Sequence, residues 1–275
     1  MTTHQTPQPP RLRLRLPSGR IEITAWDEPT TDVVVESLSN DQAGIEAAEA
    51  VRQELRSGGD GPELVVETAG RRGGFGFRRE PELRYTIRAP HGSSIDAGTA
   101  SADVTAVGRF AEVKVETASG DVSIGEVSGS ATIKTVSGDV DVASVGGALR
   151  CSTVSGDADL GPAGGEVTAG TVSGDVRVGA AASSVTAKSV SGDLLLDAVS
   201  RGEVKLQSVS GDITIGVARG ARLWMDVSSL SGSTQSDLEP LEGEGDGDRE
   251  IDLRITANST SGDVRLFRAK QLTSA

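Results

Sequence analysis

Aspartate recurs in this chain at a spacing that invites chemistry. The tripeptide Ser-Gly-Asp begins at Ser119, Ser137, Ser155, Ser173 and Ser191, each 18 residues after the last. It returns at Ser210 after 19 residues and closes the series at Ser261. A degenerate copy, Ser101-Ala102-Asp103, stands before the first, and Ser231-Gly232-Ser233 before the last. If the fold stacks these copies at ~4.8 Å, their carboxylates repel by about 1 kcal/mol at water's dielectric and about 3.5 at an effective ε near 20. A bound cation such as calcium would relieve that, so Asp121, Asp139, Asp157, Asp175, Asp193 and Asp212 form a candidate cation ladder. The alternative is structural. Gly suits a positive φ or a close backbone approach, and Ser and Asp bond turn amides. Gly120, Gly138, Gly156, Gly174, Gly192 and Gly211 then mark a corner that closes each coil. Calcium-binding β-rolls repeat Gly-Gly-x-Gly-x-Asp every nine residues, with ligands from both turns. Here the opposite corners read SGS, GGA, GGE and ASS, without an aspartate.

Other catalytic chemistry has little to work with. The histidines are His4 and His91, and the sole cysteine is Cys151, so no zinc set and no internal disulfide can form. Paired aspartates could serve a glycosidase, but residues 111–223 contain no Phe, Tyr or Trp to platform a sugar. Neither GxxxxGK[ST] nor GxGxxG between a strand and a helix occurs. The expectation is a non-enzyme without a cofactor. A net charge of −13 argues against generic nucleic-acid binding. The one basic, aromatic stretch (Arg71, Arg72, Arg78 and Arg79 around Phe75 and Phe77) reads as a hairpin tip rather than a single-strand site. No run reaches the ~18 apolar residues of a membrane span. The polar, proline-rich opening has no apolar run, which reads as cytoplasmic.

The elements that position these residues follow from the same period. Each 18-residue unit holds two stretches of alternating apolar residues, the signature of strands with one face turned inward. In the first half the inward pairs are Val122 and Ile124, Val140 and Val142, Val176 and Val178, Leu194 and Leu196, and Ile213 and Ile215. In the second half they include Val113 and Val115, Leu149 and Cys151, Val185 and Ala187, and Val204 and Leu206. Val136, Val154, Val172, Val190 and Val209 stand at the return corner. So short a unit cannot bury its own apolar side, and stacked copies make one core. The pattern predicts an all-β, single-stranded β-helix or solenoid of roughly seven to nine coils. One outer face would be acidic through the Asp rows. The other would be mildly basic through Lys114, Lys134, Arg150, Lys188 and Lys205.

Outside the repeat the signals change. Residues 1–10 read as a disordered tail. Residues 11–100 read as strands plus one helix near 41–56 (Ile45, Ala48, Val51 and Leu55 at helical spacing), packed on the solenoid. The solenoid itself is expected over 101–270, with Leu223-Trp224-Met225 sealing its open end and an acidic loop at 241–250.

The order of these features resembles a known family. An opening strand pair with Trp26-Asp27, a helix, then RYTIRAPHGSSIDAGTASADVTAVG leading into iterated Thr-Val-Ser-Gly-Asp-Val (Thr135 to Val140, Thr171 to Val176) is similar to the bacterial β-strand-repeat family named "putative adhesin", or toastrack. The closest likeness is to its soluble actinobacterial members, and it runs from Arg11 to Ala269. The resemblance implies a solenoid fold and carries over no catalytic residues. The adhesin name implies surface exposure, and some relatives serve membrane-anchored envelope-stress systems. The functional expectation is an interaction scaffold for an unidentified protein partner. Self-assembly like that of cytoskeletal β-helices, and a calcium-stabilised module, are the alternatives.

Overall fold

The computed structural model describes residues 1–58, 61–68, 81–238 and 251–269. The basic loop around Phe75 and the acidic loop at 241–250 lie outside them. The chain divides into two compact units, Met1–Ala143 and Ser144–Ala275. Their described residues form parallel β-coils of the predicted kind, with one helix, which lies in the first unit.

In the first unit the strands are β1 (Thr2–Gln5), β2 (Arg11–Trp26), β3 (Thr30–Ser37), β4 (Arg52–Gly58), β5 (Gly61–Glu67) and β6 (Leu83–Pro90). They are followed by β7 (Ser94–Phe110), β8 (Val113–Glu116), β9 (Val122–Val127), β10 (Ala131–Lys134) and β11 (Val140–Val145), whose last two residues belong to the second unit. Helix α1 covers Gln42–Glu49. β2 is long because it forms both halves of a coil. Leu12, Leu14, Leu16, Ile21 and Ile23 alternate inward and are buried. The bend between the halves falls at Gly19, with φ +123°, where a Cβ would stand 1.9 Å from the Leu83 carbonyl oxygen. Along one edge β2 pairs in parallel with β7 (Leu12↔Ile95, Ile23↔Ala106), which passes the same register to β8 and β9. Along the other it pairs in parallel with β5 and β6. The N-terminal strands therefore continue the coils in register.

The border of this unit changes direction. β4 pairs antiparallel with β5, β3 with β6, and β1 with β3. The tail expected to be disordered supplies β1. Its polar residues bury little, but the open edge of β3 offers backbone partners, and Thr6 and Thr31 join through their hydroxyls at 2.9 Å. The helix is shorter than its apolar spacing suggests. Asp41 caps it by accepting the Gly44 N–H (2.8 Å), but from Arg52 the chain runs as β4. The edge of β5 gains a full ladder from that choice, while Ile45 and Leu55 remain exposed. Tertiary pairing here outweighs local periodicity.

The second unit contains β12 (Leu149–Ser152), β13 (Ala158–Leu160), β14 (Val167–Gly170), β15 (Val176–Ala181), β16 (Val185–Lys188) and β17 (Leu194–Val199). After them come β18 (Gly202–Ser208), β19 (Ile213–Val217), β20 (Leu223–Ser229), β21 (Thr234–Ser236), β22 (Leu253–Ser259) and β23 (Val264–Arg268). Each coil pairs in parallel with the coil one period away, as in Val167↔Val185 and Val176↔Leu194. The 19-residue spacing is absorbed between Val199 and Val204, where Gly202 takes φ +95°. Spatial order then departs from chain order. β22 and β23 lie between the β18–β19 coil and the β20–β21 coil. The chain makes its border coil first and returns to fill the place beneath it. The expected seal is at that border but stays open: Trp224 is 39% and Met225 46% exposed.

Candidate functional site: the Ser-Gly-Asp corner

Every inward residue named from the period is buried, Cys151 included. The corner between the two inward stretches is built from a residue that the motif alone does not show. Before each Ser-Gly-Asp stands a buried Thr or Ser: Thr117, Thr135, Thr153, Thr171, Ser189, Ser208 and Ser259. Thr117, Thr135 and Thr153 accept the N–H of the glycine three residues on, at 3.0–3.1 Å. Thr171 Oγ1 and Ser189 Oγ are buried without a hydrogen-bond partner. The sequence signal was available, since a hydroxyl residue recurs there at every period. At the opposite corner Val127, Val145, Ala163, Ala181, Val199 and Val217 are buried and repeat likewise.

The corner glycines do not take positive φ. They are glycine because the coils approach too closely for a Cβ. One added at Gly138 would sit 2.0 Å from the Gly120 carbonyl oxygen, and one at Gly192 would sit 1.9 Å from that of Gly174. This close approach is the second of the two reasons weighed from the sequence.

The aspartates are stacked as expected, and their carboxylates are in use. In the first unit Asp121 N–H donates to Asp103 Oδ1 (3.2 Å) and Asp139 N–H to Asp121 Oδ1 (3.0 Å). In the second unit Asp175, Asp193, Asp212 and Asp263 each donate a backbone N–H to Oδ1 of the aspartate one coil below, Asp157 for the first, at 2.8–2.9 Å. Ser233 donates its N–H to Asp263 (2.8 Å), and this bond holds the Asp263 carboxyl below the usual aspartate range. The row therefore stitches coil to coil. Among the described residues no group of three or more His, Cys, Asp or Glu is placed to hold a metal ion.

The valines that share the corner face outward. Val154, Val172, Val190 and Val209 of the second unit are 43–49% exposed, each one residue before the Ser of its Ser-Gly-Asp. Leu230 takes the equivalent place in the border coil and is 84% exposed. The charge segregation is weaker than the period suggests. Arg177 lies in register with Asp159 on the Asp-bearing face and donates to Asp197 at 2.9 Å. On the opposite face of the first unit, Glu116 lies between Lys114 and Lys134 at 3.4 and 3.6 Å.

Among the described residues the groups with nucleophilic potential are not assembled. Burial pushes the Cys151 thiol up to about 12, far from the thiolate. His91 lies 3.7 Å from Asp27 at a half-exposed turn. A groove of about 520 Å³ in the first unit is lined by Ser18, Arg20, Leu38, Glu82, Arg84 and Ser101. Its guanidinium groups face carboxylates, Arg20 toward Asp103 at 3.8 Å and Arg84 toward Glu22 at 3.7 Å. Among the described residues no helix is long and apolar enough to cross a membrane.

A family model described as Toastrack DUF4097 matches residues 11–183 and 166–267. A comparison with curated proteins finds no match. Among solved structures, the chain is similar to one titled a "putative cell adhesion protein" from Clostridium sporogenes ATCC 15579, at 10% identity. That match covers 97% of this chain and 94% of the other, with a TM-score of 0.26. The chain belongs to the Toastrack DUF4097 family.

Proposed function

We propose that this Toastrack chain is a non-catalytic scaffold whose coils present a ladder of identical side chains to a protein partner. The observation that carries the reading is the row of half-exposed valines, Val154, Val172, Val190 and Val209. The fold has no need of them. Inward residues fill the core, the buried Thr or Ser closes the corner, and the valine that follows it faces water. A polar residue would serve stability there as well, and contiguous apolar surface rimmed by polar groups is a feature of binding sites. The row lies beside the stacked aspartates Asp157, Asp175, Asp193 and Asp212. The matching surface is therefore apolar, flanked by cations, and repeats at the ~4.8 Å step of a β-sheet.

The test is a pull-down with the full chain and with a Val172→Lys/Val190→Lys variant. Both positions are half exposed, so the variant should melt within a few degrees of the native chain. The reading expects one protein retained reproducibly by the native chain and lost from the variant. Equal retention by both, or no reproducible partner for the native chain, would count against it.

A further inference from the structure

The border of the second unit carries a different surface. The outer edge of β20 pairs with no strand among the described residues, whereas its inner edge pairs with β22 along its whole length. The Leu253 N–H donates to the Arg222 carbonyl (3.0 Å), and the Leu230 N–H to the Ser259 carbonyl (3.2 Å). Successive residues of a strand point these groups to opposite sides. Residues 222, 224, 226 and 228 therefore face β22, and Leu223, Met225 and Val227 turn their N–H and C=O outward. The same three side chains stand over the core, in register with the buried Leu253, Ile255 and Ala257. Among the described residues the unit thus ends on an apolar surface and an unpaired backbone at once.

We propose that this edge pairs with the same edge of a second copy of the chain, antiparallel and about a two-fold axis at Met225. The sequence of β20 fits itself in that register. Leu223 meets Val227 of the second copy and Met225 meets Met225, so the backbone groups these three residues turn outward gain partners and the core continues across the axis. On the other face Trp224 meets Asp226 of the second copy. The Arg254 guanidinium lies 4.5 Å from the centre of the Trp224 ring, so that carboxylate arrives beside a cation already in place. A different protein would have to supply an unpaired strand, three apolar side chains and a placed carboxylate together, and β20 supplies all of them.

The border strand β4 of the first unit is built the opposite way. Glu54 is paired with Arg52 and Arg56 there, and Arg52 with Glu67, a charged edge that resists strand addition. A two-fold contact joins like edge to like edge, so the product is a closed dimer and not a filament.

Sedimentation velocity on the full chain over a wide concentration range tests this, using the native chain, Asp226→Arg, and Asp226→Arg combined with Arg254→Asp. Both residues are exposed, so folding should be unaffected, and a melting curve for each variant checks that. The expected results are a native dimer, a dissociation constant weakened on the order of tenfold or more in the single variant, and recovery in the double. The Val172→Lys/Val190→Lys chain should dimerise like the native one, which separates this proposal from the partner-binding corner. A native chain that is monomeric at every concentration, or that assembles beyond a dimer, overturns the proposal. So does a single variant that dimerises as tightly as the native chain, or a double variant as weak as the single.

Discussion

The corner residue that matters most to stability is the buried threonine, and the structure supplies its own control. Thr153 Oγ1 accepts the Gly156 N–H at 3.0 Å, while Thr171 Oγ1, one coil on, is buried without a partner. Valine matches the shape of threonine without the hydroxyl. Thr153→Val leaves a donor unsatisfied and should cost about 1–3 kcal/mol, whereas Thr171→Val removes an orphaned polar atom and should be neutral or stabilising. Thermal unfolding of the two variants side by side checks this, and equal destabilisation would show that the hydrogen bond is not the cause. The inward residues, Cys151 among them, were legible from alternation alone. The roles of the threonine and of the neighbouring valine were not. Both are apolar enough to read as core, and only the corner's backbone path decides that Thr135 is buried while Val136 is 48% exposed.

Among the elements, the parallel coils were legible because one period fixes strand, corner and register together. The N-terminal elements were less so. β1 forms from a polar segment because β3 has an open edge, and α1 ends at Glu49 because β5 needs β4. Such demands come from distant backbone and leave no local pattern. The insertion of β22 and β23 beneath β20 and β21 was equally hidden, because the motif Ser261-Gly262-Asp263 carries no record of its place in the stack. Coil spacing itself can be tested at Gly192. A methyl group there meets the Gly174 carbonyl oxygen at 1.9 Å, so Gly192→Ala should force neighbouring coils apart and cost about 1–3 kcal/mol or more. Thermal unfolding and amide exchange along β15 and β17 would report it. A variant as stable and as protected as the native chain would show that the close approach is not required.

At the scale of the whole chain, both units use the same division of labour. Inward residues and corner hydroxyls hold the coils, and outward residues remain available for contacts. The aspartate row belongs to the first group, since Asp175, Asp193, Asp212 and Asp263 each take up the carboxylate one coil below. That is the central claim, because the same row read as a site would make the protein a cation-dependent module. A cation that bound only the folded chain at a hundred times its dissociation constant would add about 2.7 kcal/mol, a shift of a few degrees in melting temperature. The direct measurement is the melting temperature of the full chain in millimolar calcium and in chelator. The carboxylate-to-amide ladder predicts the same value in both, and a rise of several degrees with calcium would contradict it.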